Sequence, residues 1–210
     1  ESGNKIFVLV KTSSSNVQVY ISTDDGVSYS ALSTKFNPSS YYVKLFRVHN
    51  SESVFLAAYN NSNSTVSIYE HEVAAQNFTL VNTSTSTFVS LDNVFGTYHN
   101  DSYHFYVATK YTHIYYSSDK GANWSLKQIT YGSGDGNTNA RDVHPNKPNV
   151  IFRGYLDAYV STNYGASFSN FGHRLGWDVH HMKFYQRKDD SYFFFLGKDF
   201  GCYISDNPEL

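Results

Sequence analysis

An all-β fold assembled from repeated four-stranded antiparallel units is predicted by three observations. The first is one short sequence written three times. Tyr116-Ser117-Ser118-Asp119-Lys120-Gly121-Ala122-Asn123-Trp124 reads Ser-x-Asp-x-Gly-x-x-Trp, with Ser117, Asp119, Gly121 and Trp124 at the fixed positions. Ser22, Asp24, Gly26 and Tyr29 repeat it with Tyr for Trp, and Ser161, Asn163, Gly165 and Phe168 repeat it with Asn for Asp. The second observation is a similar short strand before each copy: Val19-Tyr20-Ile21, Ile114-Tyr115-Tyr116 and Ala158-Tyr159-Val160; Cys202-Tyr203-Ile204-Ser205 begins a fourth copy. The third is composition. Aromatic residues make up 18% of the 210, with 19 Tyr and 16 Phe, and such side chains favour half-buried pleated surfaces. Shared spacing and chemistry in separate copies mark a repeat protein.

Each residue of the repeated sequence has a mechanical reason to be in a tight turn. A short carboxylate or amide accepts hydrogen bonds from its own turn. The glycine permits a positive φ that a side chain would penalise. The closing aromatic is expected to fold back under the hairpin and bury its ring.

In chain order, Ile6-Phe7-Val8-Leu9-Val10 is a continuous apolar run and reads as a buried strand. The polar Thr12–Asn16 loop returns it to Val17–Ile21, and the first turn leads to an outer strand at 29–32. That makes a first unit of about 5–35 lacking its first strand. A second unit, about 42–83, runs through strands at 43–49, 54–59, 66–70 and 78–81, and its turn has decayed to Glu70–Asn77 without the Asp and Gly. The third unit, about 90–130, holds strands at 91–97, 104–109, 113–116 and 124–127. The fourth, about 139–171, holds 140–144, 150–154, 158–160 and 167–169, with His144–Asn149 as a turn-rich connector. The fifth, about 178–207, has strands at 179–185, 192–196 and 202–204 and no fourth strand. Matching second strands by Phe7, Phe55, Tyr106, Phe152 and Phe194 gives a period of about 40–50 residues, as in propeller blades. With no helical periodicity, this describes a β-propeller. About four to five blades do not close a ring, so the remaining blades are expected from the same chain or a partner subunit.

Charged residues are 16% of the chain and the net charge is −2, which gives no basic footprint for nucleic acid and no polybasic membrane patch. No run is apolar enough for the length of a bilayer span, and none at Glu1 reads as a signal peptide, so a soluble piece of a longer protein is expected. Cys202 is the single cysteine, either buried and free or paired to a cysteine elsewhere. Six Asn-x-Ser/Thr sequons occur, at Asn60, Asn63, Asn77, Asn82, Asn100 and Asn123. Asn60 and Asn63 sit in an apparent exposed hairpin loop, whereas Asn123 lies inside a turn beside a buried aromatic. N-linked glycans and the secretory pathway are therefore expected, with a lumenal, endosomal, cell-surface or secreted location.

The repeated turn resembles the Asp-box (BNR) motif, and the whole chain resembles Asp-box propellers, a superfamily of sialidases, xyloglucanase-like glycoside hydrolases, photosystem-assembly propellers and Vps10/sortilin receptors. The segments Val19–Tyr29, Asp142–Val150 and Tyr159–Gly165, with the degenerate second unit, are most similar to the N-terminal blades of a Vps10/sortilin-type domain. That resemblance implies a ten-bladed receptor propeller binding protein or peptide cargo for sorting or endocytosis. It implies no cofactor, and no direct membrane insertion by this stretch.

Three chemistries were weighed. Glycoside hydrolysis needs two carboxylates across a cleft, for which Asp92, Asp142, Asp157 and Asp178 are the candidates; a sialidase-like arginine signature is not visible around Arg47, Arg141, Arg153, Arg174 or Arg187. Metal binding by His144, His173, His180 and His181 is disfavoured, since adjacent histidines on a strand point to opposite faces. Gly132–Asn137 lacks the residues of a phosphate or calcium loop. Peptide binding falls to the face formed by Thr12–Asn16, Tyr59–Thr65, Phe36–Tyr41, Tyr131–Asn139 and Phe171–Trp177. There Phe171, His173, Arg174 and Trp177 form an aromatic and cationic loop, although Trp177 serves equally well as packing between blades.

Overall fold

The computed structural model describes residues 5–72, 74–109, 113–129, 140–154, 156–171, 179–199 and 201–206. Among them there is no helix, and the strands fall into five antiparallel sets. The first set is β1 (Ile6–Ser13), β2 (Asn16–Ser22) and β3 (Ser30–Phe36). The second is β4 (Tyr41–His49), β5 (Val54–Asn60), β6 (Thr65–His71) and β7 (Thr79–Thr83). The third is β8 (Asn93–His99), β9 (Ser102–Ala108), β10 (His113–Ser117) and β11 (Ser125–Ile129). The fourth is β12 (Arg141–His144), β13 (Lys147–Gly154), β14 (Ala158–Ser161) and β15 (Ser169–Asn170). The fifth is β16 (Val179–Gln186), β17 (Tyr192–Lys198) and β18 (Gly201–Ser205).

Within each set the strands pair in chain order. Between sets, the first strands lie against one another in succession: β4 against β8, β8 against β12, β12 against β16. β4 and β8 come close enough for a short parallel pairing, Val48 with Gly96 and His49 with Thr97, which merges the second and third sets into one eight-stranded sheet. The sequence predicts separate sheets here; the two inner strands run in the same direction and their ends pair over these two residues.

Four apolar layers fill the spaces between successive sets. Val19, Leu32 and Phe36 meet Leu56, Ala58 and Phe78 between the first and second. Phe46, Phe55 and Ile68 meet Val94, Phe105 and Trp124 between the second and third. Phe95, Tyr106 and Ile114 meet Val143 and Ile151, and Phe152 and Ala158 meet Val179, Met182 and Phe184. Each inner set is thus covered on both faces. That is why β5, Val-Phe-Leu-Ala-Ala-Tyr-Asn, is apolar up to its last residue and buried from Phe55 to Tyr59, as expected for a doubly covered strand. Sheets set radially and packed face to face make a β-propeller, an arc of blades within this chain.

Several boundaries differ from the sequence reading by a few residues, β1 and β2 for instance narrowing the expected Thr12–Asn16 loop to Ser14 and Ser15, and two of the differences have a clear local cause. β3 runs to Phe36, because Phe36 inserts its ring edge-on between Tyr41 and Tyr69. β13 starts at Lys147, so part of the predicted connector is strand; Pro148 lies beside a register shift at Val143 and His144, where a missing N–H is tolerated.

Candidate ligand cleft

The three turns are superimposable in their bonding. Ser22 Oγ donates to Asp24 Oδ1 at 2.7 Å and accepts from the Gly26 N–H at 2.9 Å, while Asp24 Oδ1 takes the Ser28 N–H at 2.9 Å. Ser117 Oγ donates to Asp119 Oδ1 at 2.7 Å and takes the Gly121 N–H at 3.0 Å, and the Asn123 N–H reaches Asp119 at 2.9 Å. Ser161, Asn163, Gly165 and Ser167 repeat the three bonds at 2.9 Å each. In every copy two successive residues take positive φ: Asp25 and Gly26 at 55° and 91°, Lys120 and Gly121 at 57° and 86°, Tyr164 and Gly165 at 59° and 85°. The Ser28 hydroxyl and N–H and then the Ser22 hydroxyl hold the Asp24 carboxyl down at about 2. At Asp119 burial works upward, but the donors from Asn123 and Ser117 outweigh it and the carboxyl stays below its ordinary value.

The closing aromatics differ. Trp124 is buried and donates its indole N–H to the Gly121 carbonyl at 2.8 Å. Phe168 is half-buried with the Arg153 guanidinium 4.7 Å from its ring centre. Tyr29 is 45% exposed, which corrects the expectation that this ring folds under its hairpin. No neighbouring sheet covers it among the described residues.

The polar centre of the molecule lies at the inner strands. Asp142, on β12, is fully buried and accepts from four donors: His49 Nε2 at 3.0 Å, Lys183 Nζ at 3.4 Å, the Phe184 N–H at 2.8 Å and its own neighbour Val143 N–H at 3.0 Å. Burial pushes its carboxyl upward; the His49 and Lys183 charges and the donated hydrogen bonds more than reverse this and hold it below the carboxylate range. An ionised Asp142 means that His49 Nε2 carries the shared proton. One carboxylate therefore ties the second, fourth and fifth blades. Around it, Asn50 donates to the Pro145 carbonyl at 2.9 Å and accepts the Tyr192 hydroxyl at 2.5 Å. His144 packs on Phe184, and burial, then Lys147 and His49, push it down to about 4.

Next to this cluster opens a cleft of about 560 Å³ lined by Arg47, His49, Asn50, Glu52, Lys183 and Tyr192, with Tyr185 and Gln186 on its fifth-blade wall. Its rim is the β4–β5 loop, a first-to-second-strand connection. It therefore opens at the end of the blades that carries the three turns. Of the loops expected to bind ligand, the described ones, Thr12–Asn16, Phe36–Tyr41 and Tyr59–Thr65, lie at the other end, where the Asn61 N–H bonds the Ser40 carbonyl at 2.9 Å and joins two of them. Of the predicted ligand residues, Phe171 is half-buried, edge-on to Phe152 at 5.7 Å with its N–H on the Ala158 carbonyl, and so belongs to the core. His173, Arg174 and Trp177 lie outside the described residues, as do Asp178 and the loop 130–139.

The remaining candidates are dispersed. His180 and His181 turn to different partners, Asp199 at 2.5 Å and Tyr185 at 3.0 Å, and no group of three metal-ligating side chains occurs among the described residues. Asp157 accepts from Asn170 at 3.0 Å and shares no hydrogen-bond partner with Asp142 among the described residues. Cys202 is exposed and free, which removes the reading of it as buried. Among the sequons, Asn63 is exposed with Oδ1 accepting the Thr65 hydroxyl at 2.7 Å, and Asn100 is exposed at a φ of 48°. Asn60 donates to the Tyr41 hydroxyl at 3.3 Å, Asn77 accepts from Ser33 at 2.8 Å, and Asn82 spends its amide on the Lys120 carbonyl at 3.2 Å. Arg47, His49, Lys183 and Tyr192 were not singled out as a site by the sequence. Asp142, an acid between Arg141 and Val143 in an inner strand, was the one signal pointing there.

No protein-family model matches the chain, and no curated protein matches its sequence. Solved structures do. The fucose-specific lectin from Aleuria aurantia matches with a TM-score of 0.53 and 12% identity, over 97% of this chain and 74% of the lectin. A complex of that lectin with alpha-methyl-L-fucoside gives a TM-score of 0.54 and 13% identity over the same shares. YCF48 bound to D1 peptide gives a TM-score of 0.50 and 18% identity over 93% of this chain and 62% of YCF48, so the chain spans under two thirds of that protein. At these identities the likeness is one of fold, and the fold is the β-propeller.

Proposed function

We propose that this chain belongs to a non-catalytic propeller that binds a protein or peptide segment, in the manner of the Vps10/sortilin receptors its sequence resembles. The observation that carries the reading is the state of Asp142. The single buried acid beside the cleft accepts from four donors, so it has neither a proton to give as the acid nor a free lone pair to use as the nucleophile of a glycosidase. The cleft offers what recognition needs instead: preset polar groups and aromatic walls in a concave site. YCF48, a propeller of similar fold, is known with a D1 peptide bound. Titration against a panel of labelled peptides tests the reading, with methyl fucoside and chromogenic aryl glycosides run in parallel. Peptide binding without glycoside turnover is expected; turnover lost on Asp142→Asn would overturn it in favour of a glycoside hydrolase. The exposed sequons support passage through the secretory pathway. Mass spectrometry of the protein from a secreting eukaryotic host should find a glycan on Asn63 and none on Asn82.

A further inference from the structure

We infer that the cleft between the second and fifth blades binds an acidic peptide segment through Arg47 and Lys183, an inference that rests on the peptide-binding reading above. Arg47 alternates along β4 with Phe46 and Val48, which enter the core, so its own side chain leaves the core and reaches the cleft. It is exposed, and no described carboxylate lies within ion-pairing distance of it. Arg187 and Lys120, by contrast, are paired with Asp206 and Glu70. A planar guanidinium presents a fork that matches a carboxylate with two parallel hydrogen bonds.

Lys183 supplies a second cation across the cleft. Its ammonium meets Asp142 only at 3.4 Å, from one side, and about a third of the side chain is exposed, so donors remain for a ligand. Asp142 does not repel such a ligand strongly, because four donors surround it and its side chain is wholly enclosed. The one acid on the lining, Glu52, sits on the loop at the rim. The walls are already fixed: Asn50 is held by Pro145 and Asn146 through its amide and by the Tyr192 hydroxyl at its carbonyl. Preset groups spare the entropy of ordering them on binding. Tyr185, 41% exposed, and Tyr192 add ring surface for the aliphatic part of a glutamate and its neighbours. A cleft of about 560 Å³ has room for a few residues of extended chain.

The test uses two fluorescein-labelled pentapeptides blocked at both ends, Gly-Glu-Glu-Glu-Gly and Gly-Gln-Gln-Gln-Gly, read by anisotropy at low and physiological salt. The acidic peptide should bind at least about tenfold tighter, with the preference shrinking as salt rises. Arg47→Gln should lose about tenfold for the acidic peptide and leave the glutamine peptide unchanged, Arg47→Lys should recover part of the loss, and Arg187→Gln should change nothing. Thermal unfolding of Arg47→Gln is expected to match the parent, since the side chain is exposed and forms no ion pair with a described residue. Equal binding of the two peptides would sink the acidic preference while leaving peptide recognition intact. Binding of neither would remove both readings. Complete competition by millimolar inorganic phosphate would reassign the cleft to small anions and overturn the peptide.

Discussion

The turns at 22–29 and 117–124 share one hydrogen-bond diagram, yet their surroundings are opposite. In the later turn Trp124 is buried against Phe88 with ring centres 5.5 Å apart, and a Cβ on Gly121 would stand 2.6 Å from Ile68 of the preceding blade. Asn82 of β7 and Ser86 of the connection that follows it bond the Lys120 and Trp124 carbonyls. In the earlier turn Tyr29 and Val27 are 45% and 86% exposed, and a Cβ on Gly26 would meet nothing closer than the Tyr29 hydroxyl at 3.3 Å. The hairpin therefore sets its own shape, but the neighbouring blade decides whether the aromatic is buried. The turn at 161–168 belongs with the later type, since a Cβ on Gly165 would meet Ile114 of the preceding blade at 3.1 Å.

This difference can be broken at several depths. The largest effect is expected at the aromatic. Trp124→Ala should cost about 3–5 kcal/mol in urea unfolding, as a buried ring deleted from a packed layer, while Tyr29→Ala should stay within about 0.5 kcal/mol. Equal losses would mean that Tyr29 is covered in solution. Next come the glycines. Gly121→Ala meets both the positive φ and Ile68 and should cost about 2–4 kcal/mol. Gly26→Ala meets only the backbone strain and should cost about 1–2 kcal/mol in the same experiment. Lys120→Met then removes the partner of Glu70, which is 5% exposed and bonded at 2.7 Å; a loss of about 1–3 kcal/mol is expected. Asp25→Gly, at the same place in the earlier turn, should stabilise slightly by relieving its positive φ.

The smallest effect is a pH dependence that separates the turns by chemistry rather than by burial. Asp24 sits at about 2 and Asp119 below its ordinary value when folded, against roughly 3.9 for an unfolded aspartate. A carboxylate lowered on folding stabilises above its unfolded value and loses that contribution as pH falls through the folded one. As pH falls from about 4 to 2, the protection of the Ser28 and Asn123 amides against hydrogen exchange should fall relative to the intrinsic rate at each pH. The Ser167 amide, bonded to Asn163 at 2.9 Å, has no titrating acceptor and should be unaffected. Asn163→Asp should bring it into line with the other two.

The strands were largely legible because period-two alternation and doubly covered apolar runs are local patterns. So were the bonds within the turns, whose partners stand two to four residues apart. Tyr29 was misjudged because the cover over a turn comes from another blade, and nothing within 22–29 encodes it. The cleft was missed for the same reason at longer range. His49 and Asp142 are 93 residues apart and Asp142 and Lys183 are 41 apart. Alternation shows that each faces inward, but not that the arc curves tightly enough to bring them together. That tight curvature, with Tyr192 reaching Asn50, is also the feature of the molecule least like the wide ten-bladed ring that the sequence resemblance implies.

The residue after the acid, or after its amide substitute, in each turn is left-handed, and in the two covered turns its side chain also touches the blade before it. Lys120 binds Glu70 of β6, and Tyr164 lies on Tyr116 of β10 with ring centres 4.8 Å apart and gives its N–H to the Asn149 carbonyl. Glycine would suit the backbone better at both places, so the side chains are retained for what they meet. The two covered hairpins, one shape with the first, are consequently not interchangeable: at the same position one carries a lysine for Glu70 and the other a tyrosine for Tyr116. A chain built of near-identical pieces needs such labels, because without them one blade could dock behind the wrong neighbour with little loss of contact.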